Sequence, residues 1–146
     1  MKKVILFILL SLFTFSFTTK SSYKNTNIER VDTTFLTREL NDSVLYLALL
    51  HYEVKEPKIV LAQAKLESGN FTSNLFINKN NFLGLYNSRK KEFFEFNHWS
   101  DCIKGYKNMI EYKLKDGENY YDFLKRIGYA EDPDYIAKVK RIEKGL

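Results

Sequence analysis

One glutamate is a candidate for acid–base chemistry because of its place in the predicted elements. The run Ala62 to Gly69 reads Ala-Gln-Ala-Lys-Leu-Glu-Ser-Gly and ends a helix predicted over residues 57–68. Glu67 lies at the C-terminal end of this largely apolar helix, where the helix dipole disfavours a carboxylate. Partial burial raises a carboxyl pKa in the same direction. A glutamate that stays protonated near neutral pH is what a general acid requires.

Hydrophobic periodicity and capping residues predict the elements that must position this glutamate. Gln63 precedes Glu67 by four residues and so shares its helical face. Further helices are predicted over about 34–53, 101–115, 119–127 and 133–144. Ser100 is the predicted cap of the helix at 101–115. Strand-like runs at 82–86 and 93–99 flank a turn and predict a small β-hairpin, and residues 70–81 are predicted as a loop. The fold class is therefore mainly α, with about five helices and one hairpin.

Length and composition limit the possible classes of protein. A chain of 146 residues, 45% hydrophobic and 28% charged, is one folded domain rather than a disordered or multi-span membrane protein. Its one cysteine cannot form an internal disulfide. The net charge of +5 is spread along the chain without a groove-reading motif, which argues against nucleic acid as a partner. A monomer is expected.

The N-terminus has the pattern of a secretory signal. A basic start at Met1 to Lys3 precedes an apolar run of about 14 residues, short of the roughly 20 needed to span a bilayer. We predict a signal peptide over 1–19, a polar linker over 20–31 and a catalytic domain over 32–146. Localisation in the periplasm or cell envelope follows, with no stable membrane span after signal removal. An uncleaved N-terminal anchor is the alternative.

Four motifs, taken in order, resemble one enzyme family. They are Ala62-Gln63-Ala64-x-Leu66-Glu67-Ser68-Gly69 with Phe71, Asn80-Asn81-Phe82-x-Gly84-Leu85, Trp99-Ser100-Asp101 with Tyr106, and Gly128-Tyr129-Ala130-Glu131-Asp132-Pro133-Asp134-Tyr135. Together they are similar to the glucosaminidase domains of glycoside hydrolase family 73, which hydrolyse peptidoglycan and have a lysozyme-like fold. The resemblance extends over about residues 35–143.

The resemblance assigns roles to individual residues. Glu67 matches the catalytic acid that protonates the leaving glycosidic oxygen. Asn81 and Gly84 match the motif that opens the hairpin lobe beside the cleft, and Tyr129 matches a tyrosine close to the acid. With Gln63 and Trp99, these residues are the candidates for substrate binding. A turn-forming role for Asn81 and a core role for Tyr129 are the structural alternatives.

A second carboxylate is less clearly marked. Glycosidases usually use two, and the short hairpin offers Glu92 and Glu95 as candidates. Neither matches a motif position, and surface placement is the alternative for both. Participation by the 2-acetamido group of the substrate would make a second carboxylate unnecessary. Aromatic side chains that could stack on sugars are Phe93, Phe94, Phe96, Trp99, Tyr120 and Tyr121, although aromatic residues at such spacing usually lie in the core.

The sequence thus predicts an endo-β-N-acetylglucosaminidase that acts on the glycan strands of peptidoglycan, with no metal and no organic cofactor. His98 and Cys102 are too few ligands for a metal site. A muramidase or lytic transglycosylase of the same fold is the nearest alternative. A catalytically silent module that binds cell-wall glycan is the alternative from another class.

Overall fold

The computed structural model describes residues 33–146. The predicted signal peptide and polar linker lie outside the described residues. A 3₁₀ helix at Thr34–Thr37 comes first, and a second one, Glu111–Lys113, follows the fourth α-helix. The other elements, in chain order, are α1 (Asp42–His51), α2 (Pro57–Ser68), α3 (Asn74–Lys79), β1 (Tyr86–Asn87), β2 (Glu92–Phe93), α4 (Trp99–Met109), α5 (Tyr120–Arg126) and α6 (Tyr135–Lys144). The mainly helical fold with one small hairpin is confirmed.

Helix α2 is the central element, because it is buried on nearly all sides. Its residues from Ile59 to Ala64 are all buried, and it packs against both α1 and α6. Pro57 occupies its first turn and Gly69 ends it in a left-handed conformation, as the sequence predicts. A helix buried in this way fixes the position of any side chain at its end.

Three predicted helix boundaries need correction, and side-chain caps explain two of them. The first predicted helix is split, because the Asn41 side chain accepts the backbone N–H of Val44 at 3.0 Å and starts α1 afresh. His98, rather than Ser100, caps α4 through its Nδ1, so that helix begins at Trp99. It ends at Met109, and the remaining turn is 3₁₀.

The predicted loop over 70–81 contains the short helix α3. The Ser73 hydroxyl accepts the Phe76 N–H at 3.2 Å, and Asn80 closes the helix in a left-handed conformation. The apolar residues in this stretch gave too little periodicity to predict one and a half turns of helix. The described residues therefore hold six α-helices instead of about five.

The hairpin is held mainly by one asparagine side chain. Its two strands pair antiparallel over only two residues each, with Tyr86 opposite Phe93. At its base, Asn81 Nδ2 donates to the carbonyls of Leu85 and Phe94 at 2.9 Å each, and Asn81 Oδ1 accepts the Leu85 N–H at 2.9 Å. The paired strands are shorter than the predicted runs 82–86 and 93–99, and beyond them the Phe94 N–H bonds the Leu85 carbonyl at 3.0 Å.

No helix within residues 33–146 combines the length and the apolar content needed to cross a membrane.

Candidate active site

The side chain of Glu67 lies at the wall of a cleft between the end of α2 and the hairpin loop. A cavity of about 230 Å³ is lined by Glu67, Leu83, Gly84, Leu85, Tyr86, Ile110, Lys113, Ile127, Gly128 and Tyr129. Three of the sequence-predicted site residues, Glu67, Gly84 and Tyr129, therefore meet in one place. They come from α2, from the loop before β1 and from the loop before α6, so tertiary packing brings them together.

The chain around Glu67 is fixed by the serine that follows it. The buried Ser68 hydroxyl donates to the Ala64 carbonyl at 2.6 Å and accepts the Phe71 N–H at 2.8 Å. The Ser68 carbonyl accepts the N–H groups of Thr72 and Ser73. These bonds hold the chain leaving α2, so Glu67 is carried on a rigid helix end.

Two separate features favour glycine at position 84. Its φ of +64° is a left-handed conformation that side-chain-bearing residues rarely adopt. A Cβ atom placed there would lie 3.3 Å from Oε2 of Glu67. The backbone of the hairpin loop therefore approaches the carboxyl group directly and covers part of it.

This close covering changes the acidity of Glu67. Burial raises the pKa of its carboxyl group above the ordinary value of 4.5, and hydrogen bonding with the Tyr135 hydroxyl partly offsets the rise. Tyr135, in the first turn of α6, received no role from the sequence. The sequence signal closest to it was the predicted helix start at Asp132-Pro133-Asp134, but α6 begins two residues later than the predicted 133, at Tyr135.

Tyr129 is part of the cavity wall, with its hydroxyl turned to the backbone. It donates to the Leu83 carbonyl at 3.1 Å, next to Gly84. Its ring lies close to those of Tyr106 and Tyr135, with centroids 6.4 Å and 5.5 Å away. The hydroxyl hydrogen is thus used to hold the loop that approaches Glu67, and the ring faces the cavity.

Three candidates for substrate binding lie beneath the cleft surface. Gln63 is 0% exposed and bonds Tyr106 and Tyr135. Asn81 is 1% exposed and is occupied at the hairpin base, which is the turn-forming alternative that the sequence left open. Trp99 is buried at the start of α4 and does not line the Glu67 cavity. Their roles in substrate binding stay predictions, and Gln63 and Asn81 already use their side chains in buried hydrogen bonds.

Glu92 and Glu95 lie elsewhere on the hairpin. Their side chains are 57% and 70% exposed and pair with Lys90 and Lys79 at 3.8 Å and 3.9 Å. Both line a separate cavity and neither lines that of Glu67. Glu67 is therefore the one carboxylate among the described residues that line its cavity.

An exposed pair of aromatic residues lies on the hairpin, and the sequence suggested only one of them, Phe93, for stacking on sugars. Tyr86 and Phe93 are 49% and 44% exposed, and their rings meet edge to face with centroids 5.2 Å apart. Tyr86 also lines the Glu67 cavity. Exposed aromatic faces of this kind can stack on sugar rings, whereas Tyr120, another candidate, is buried. Cross-strand register, which brings Tyr86 opposite Phe93, decides which aromatic residues are accessible.

A comparison with models of protein families shows the family of this chain. The model of the glucosaminidase family, described as mannosyl-glycoprotein endo-β-N-acetylglucosaminidase, matches residues 45–146. The chain belongs to this glucosaminidase family. The match includes Glu67 and every element from α2 onwards, and it confirms the membership in glycoside hydrolase family 73 inferred from the motifs. No curated protein sequence matches the chain.

The membership gives the cleft a chemical context, because the family consists of glycoside hydrolases. The six-helix domain with its hairpin is consistent with the lysozyme-like fold expected for it. Within residues 33–146, no group of three His, Cys, Asp or Glu side chains is placed to hold a metal ion.

The raised pKa of Glu67 predicts how stability depends on pH. Between the unfolded and folded pKa values the folded protein binds more protons than the unfolded chain, so stability falls as pH rises through this window. The substitution Glu67→Gln removes the ionisable group and therefore this loss of stability at higher pH. The gain in unfolding free energy from the substitution should be larger at about pH 8 than at about pH 4, as measured by urea denaturation.

Comparing two pH values cancels packing effects that do not depend on pH. Glu92→Gln, at an exposed strand position, is the matched control and should leave the difference between the two pH values as in the wild type. An equal effect of Glu67→Gln at both pH values would contradict the buried-acid interpretation.

Proposed function

We propose that this protein is an endo-β-N-acetylglucosaminidase that hydrolyses the β-1,4 bond following N-acetylglucosamine in peptidoglycan. The observation that carries the proposal is the half-buried Glu67 carboxyl, which the Gly84 backbone covers within one cleft. Family membership and the four sequence motifs support the substrate class.

Glu67 acts as the general acid. Its raised pKa keeps the carboxyl group protonated to a higher pH than an exposed glutamate. The proton passes to the glycosidic oxygen as the C–O bond breaks, and Glu67 is left as a carboxylate. Water then completes hydrolysis, with the carboxylate accepting a proton from it.

The 2-acetamido group of the substrate supplies the second catalytic function in this proposal. No other carboxylate lines the Glu67 cavity among the described residues. The acetamido oxygen can attack the anomeric carbon in place of an enzyme nucleophile, a recognised exception to the two-carboxylate scheme. Tyr86, exposed at the cavity edge, is placed to stack on a bound sugar.

Digestion of purified peptidoglycan tests the activity and the bond. Glu67→Gln should reduce the rate by at least about 10², because general acid catalysis contributes roughly 10²–10⁴. Mass spectrometry of the wild-type digest should show reducing N-acetylglucosamine ends. Reducing muramic acid ends would indicate a muramidase and anhydro-muramyl ends a lytic transglycosylase. Binding to sacculi without loss of turbidity would indicate a silent glycan-binding module.

A second test uses the contact between Gly84 and Glu67. Gly84→Ala should lose most of the activity, because its Cβ would crowd Oε2 at 3.3 Å. Gly117→Ala is the matched control, since Gly117 also has a positive φ, +72°, but nothing lies within 4 Å of its added Cβ. Both variants should lose about 1 kcal/mol of stability from backbone strain, and only Gly84→Ala should lose activity. Equal activities would remove the contact from the mechanism.

A third test examines the hairpin carboxylates. The double variant Glu92→Gln with Glu95→Gln should hydrolyse peptidoglycan within about twofold of the wild-type rate, since neither side chain lines the Glu67 cavity. A double variant as inactive as Glu67→Gln would instead establish a two-carboxylate mechanism.

A further inference from the structure

A buried chain of hydrogen bonds runs behind the cleft towards Glu67. It links Tyr120 in α5, Tyr106 in α4, Gln63 in α2 and Tyr135 in α6. All four residues are at most 6% exposed. Among the described residues, no buried side-chain nitrogen or oxygen lacks a partner, so these bonds are part of a fully satisfied interior.

The chemistry of the partners determines the direction of each bond. Tyr106 donates its one hydroxyl hydrogen to Oε1 of Gln63, at 3.3 Å, because an amide oxygen only accepts. The Tyr120 hydroxyl must therefore donate to Tyr106. At the other end, Nε2 of Gln63 only donates, so the Tyr135 oxygen accepts from it at 3.1 Å. The hydroxyl hydrogen of Tyr135 is left for another acceptor.

Helix geometry indicates which acceptor that is. Gln63 and Glu67 are four residues apart on α2 and lie on the same face. The Tyr135 oxygen accepts from Gln63 on this face of α2, and hydrogen bonding with Tyr135 lowers the pKa of Glu67 against the effect of burial. Tyr129 cannot take this place, because its hydrogen is donated to the Leu83 carbonyl.

We propose that Tyr135 is a positioning residue for Glu67, and that the buried chain behind it directs its hydroxyl hydrogen onto one carboxyl oxygen. That oxygen then acts as an acceptor, so the acidic proton resides on the other oxygen. When Glu67 has given up its proton, the same bond stabilises the carboxylate. This inference rests on the proposed function for its catalytic meaning, although the hydrogen bond itself can be tested without activity.

The other titratable groups around Glu67 belong to three further elements. Tyr86 in β1, Lys113 in the 3₁₀ helix after α4 and Tyr129 before α6 line the same cavity. Tyr129 contacts the Tyr135 ring, with centroids 5.5 Å apart, and the conservative change Tyr135→Phe keeps that ring in place. A change in Glu67 titration on removing the Tyr135 hydroxyl is therefore attributable to that hydroxyl.

The decisive experiment is a titration of the Glu67 carboxyl carbon by NMR in the full folded domain, assigned by its loss in Glu67→Gln. Tyr135→Phe should raise the pKa of Glu67, because the carboxylate loses a donor. Tyr121→Phe is the matched control: its hydroxyl also donates to a glutamate, Glu143 in α6, outside the cleft. The control should leave the Glu67 titration as in the wild type.

Activity provides a second, separable readout. In Tyr135→Phe, kcat should fall roughly tenfold with little change in KM, since a hydrogen bond to the charged form is lost in the transition state. The alkaline limb of the pH–rate profile should move to higher pH, because the acid stays protonated longer. An unchanged limb would contradict the proposal.

The outcomes separate this proposal from the proposed function. An unchanged or lowered Glu67 pKa in Tyr135→Phe, or an equal rise in Tyr121→Phe, would overturn the positioning role. If Tyr135→Phe raises the Glu67 pKa but the wild-type protein cleaves no peptidoglycan, the proposed function is overturned and the hydrogen bond is established. Should Tyr135→Phe fail to fold, Tyr106→Phe replaces it: it frees Gln63 to turn and accept the Tyr135 hydrogen, and it should raise the Glu67 pKa too.

Discussion

The constraint on which this structure depends is a carboxyl group held half-buried at the C-terminal end of a buried helix. Neither the helix dipole nor burial favours the ionised form there, so Glu67 lowers the stability of the folded protein near neutral pH. The surrounding structure offsets this cost. Helix α2 is packed on nearly all sides, Ser68 secures the chain that leaves it, and the hairpin loop is brought against the carboxyl at Gly84.

The hairpin shows how a small domain builds a wall for its cleft from very few residues. Two-residue strands contribute little pairing energy, and the side chain of Asn81 supplies the hydrogen bonds that a longer ladder would supply. Tyr129 anchors the same loop from the other side through the Leu83 carbonyl. Buried polar groups with satisfied partners are rigid, so the loop backbone can be held close to Glu67 where a flexible loop would move away. The residues that resemble a binding motif are, in this structure, largely the residues that hold the wall in place.

The interior behind the acid contains three tyrosine hydroxyl groups and one glutamine amide. Tyr106, Tyr120, Tyr135 and Gln63 bury their polar atoms against each other instead of against water. An apolar core of the same volume would be no less stable, since replacing both partners of a buried hydrogen bond by matched apolar groups is nearly neutral. In the polar arrangement each hydrogen-bond donor fixes the orientation of the next hydroxyl or amide group, which apolar side chains cannot do. This direction ends at Glu67, which connects the core to the chemistry of the cleft.

The sequence alone predicted the main helices, the family and Glu67 as the candidate acid. Pro57 and Gly69 mark both ends of α2, and the position of Glu67 just before that end is a local property that needs no tertiary information. The tertiary structure decided everything that depends on which groups face each other. Periodicity placed Gln63 beside Glu67 but could not show that the two tyrosines that bond Gln63 come from α4 and α6. Likewise, the hairpin sequence contained Glu92 and Glu95 as possible second acids, and only the cross-strand register and the loop geometry turned them away from the cleft. Local signals specify helix ends because caps act within one turn, whereas the partners of a buried side chain come from distant parts of the chain.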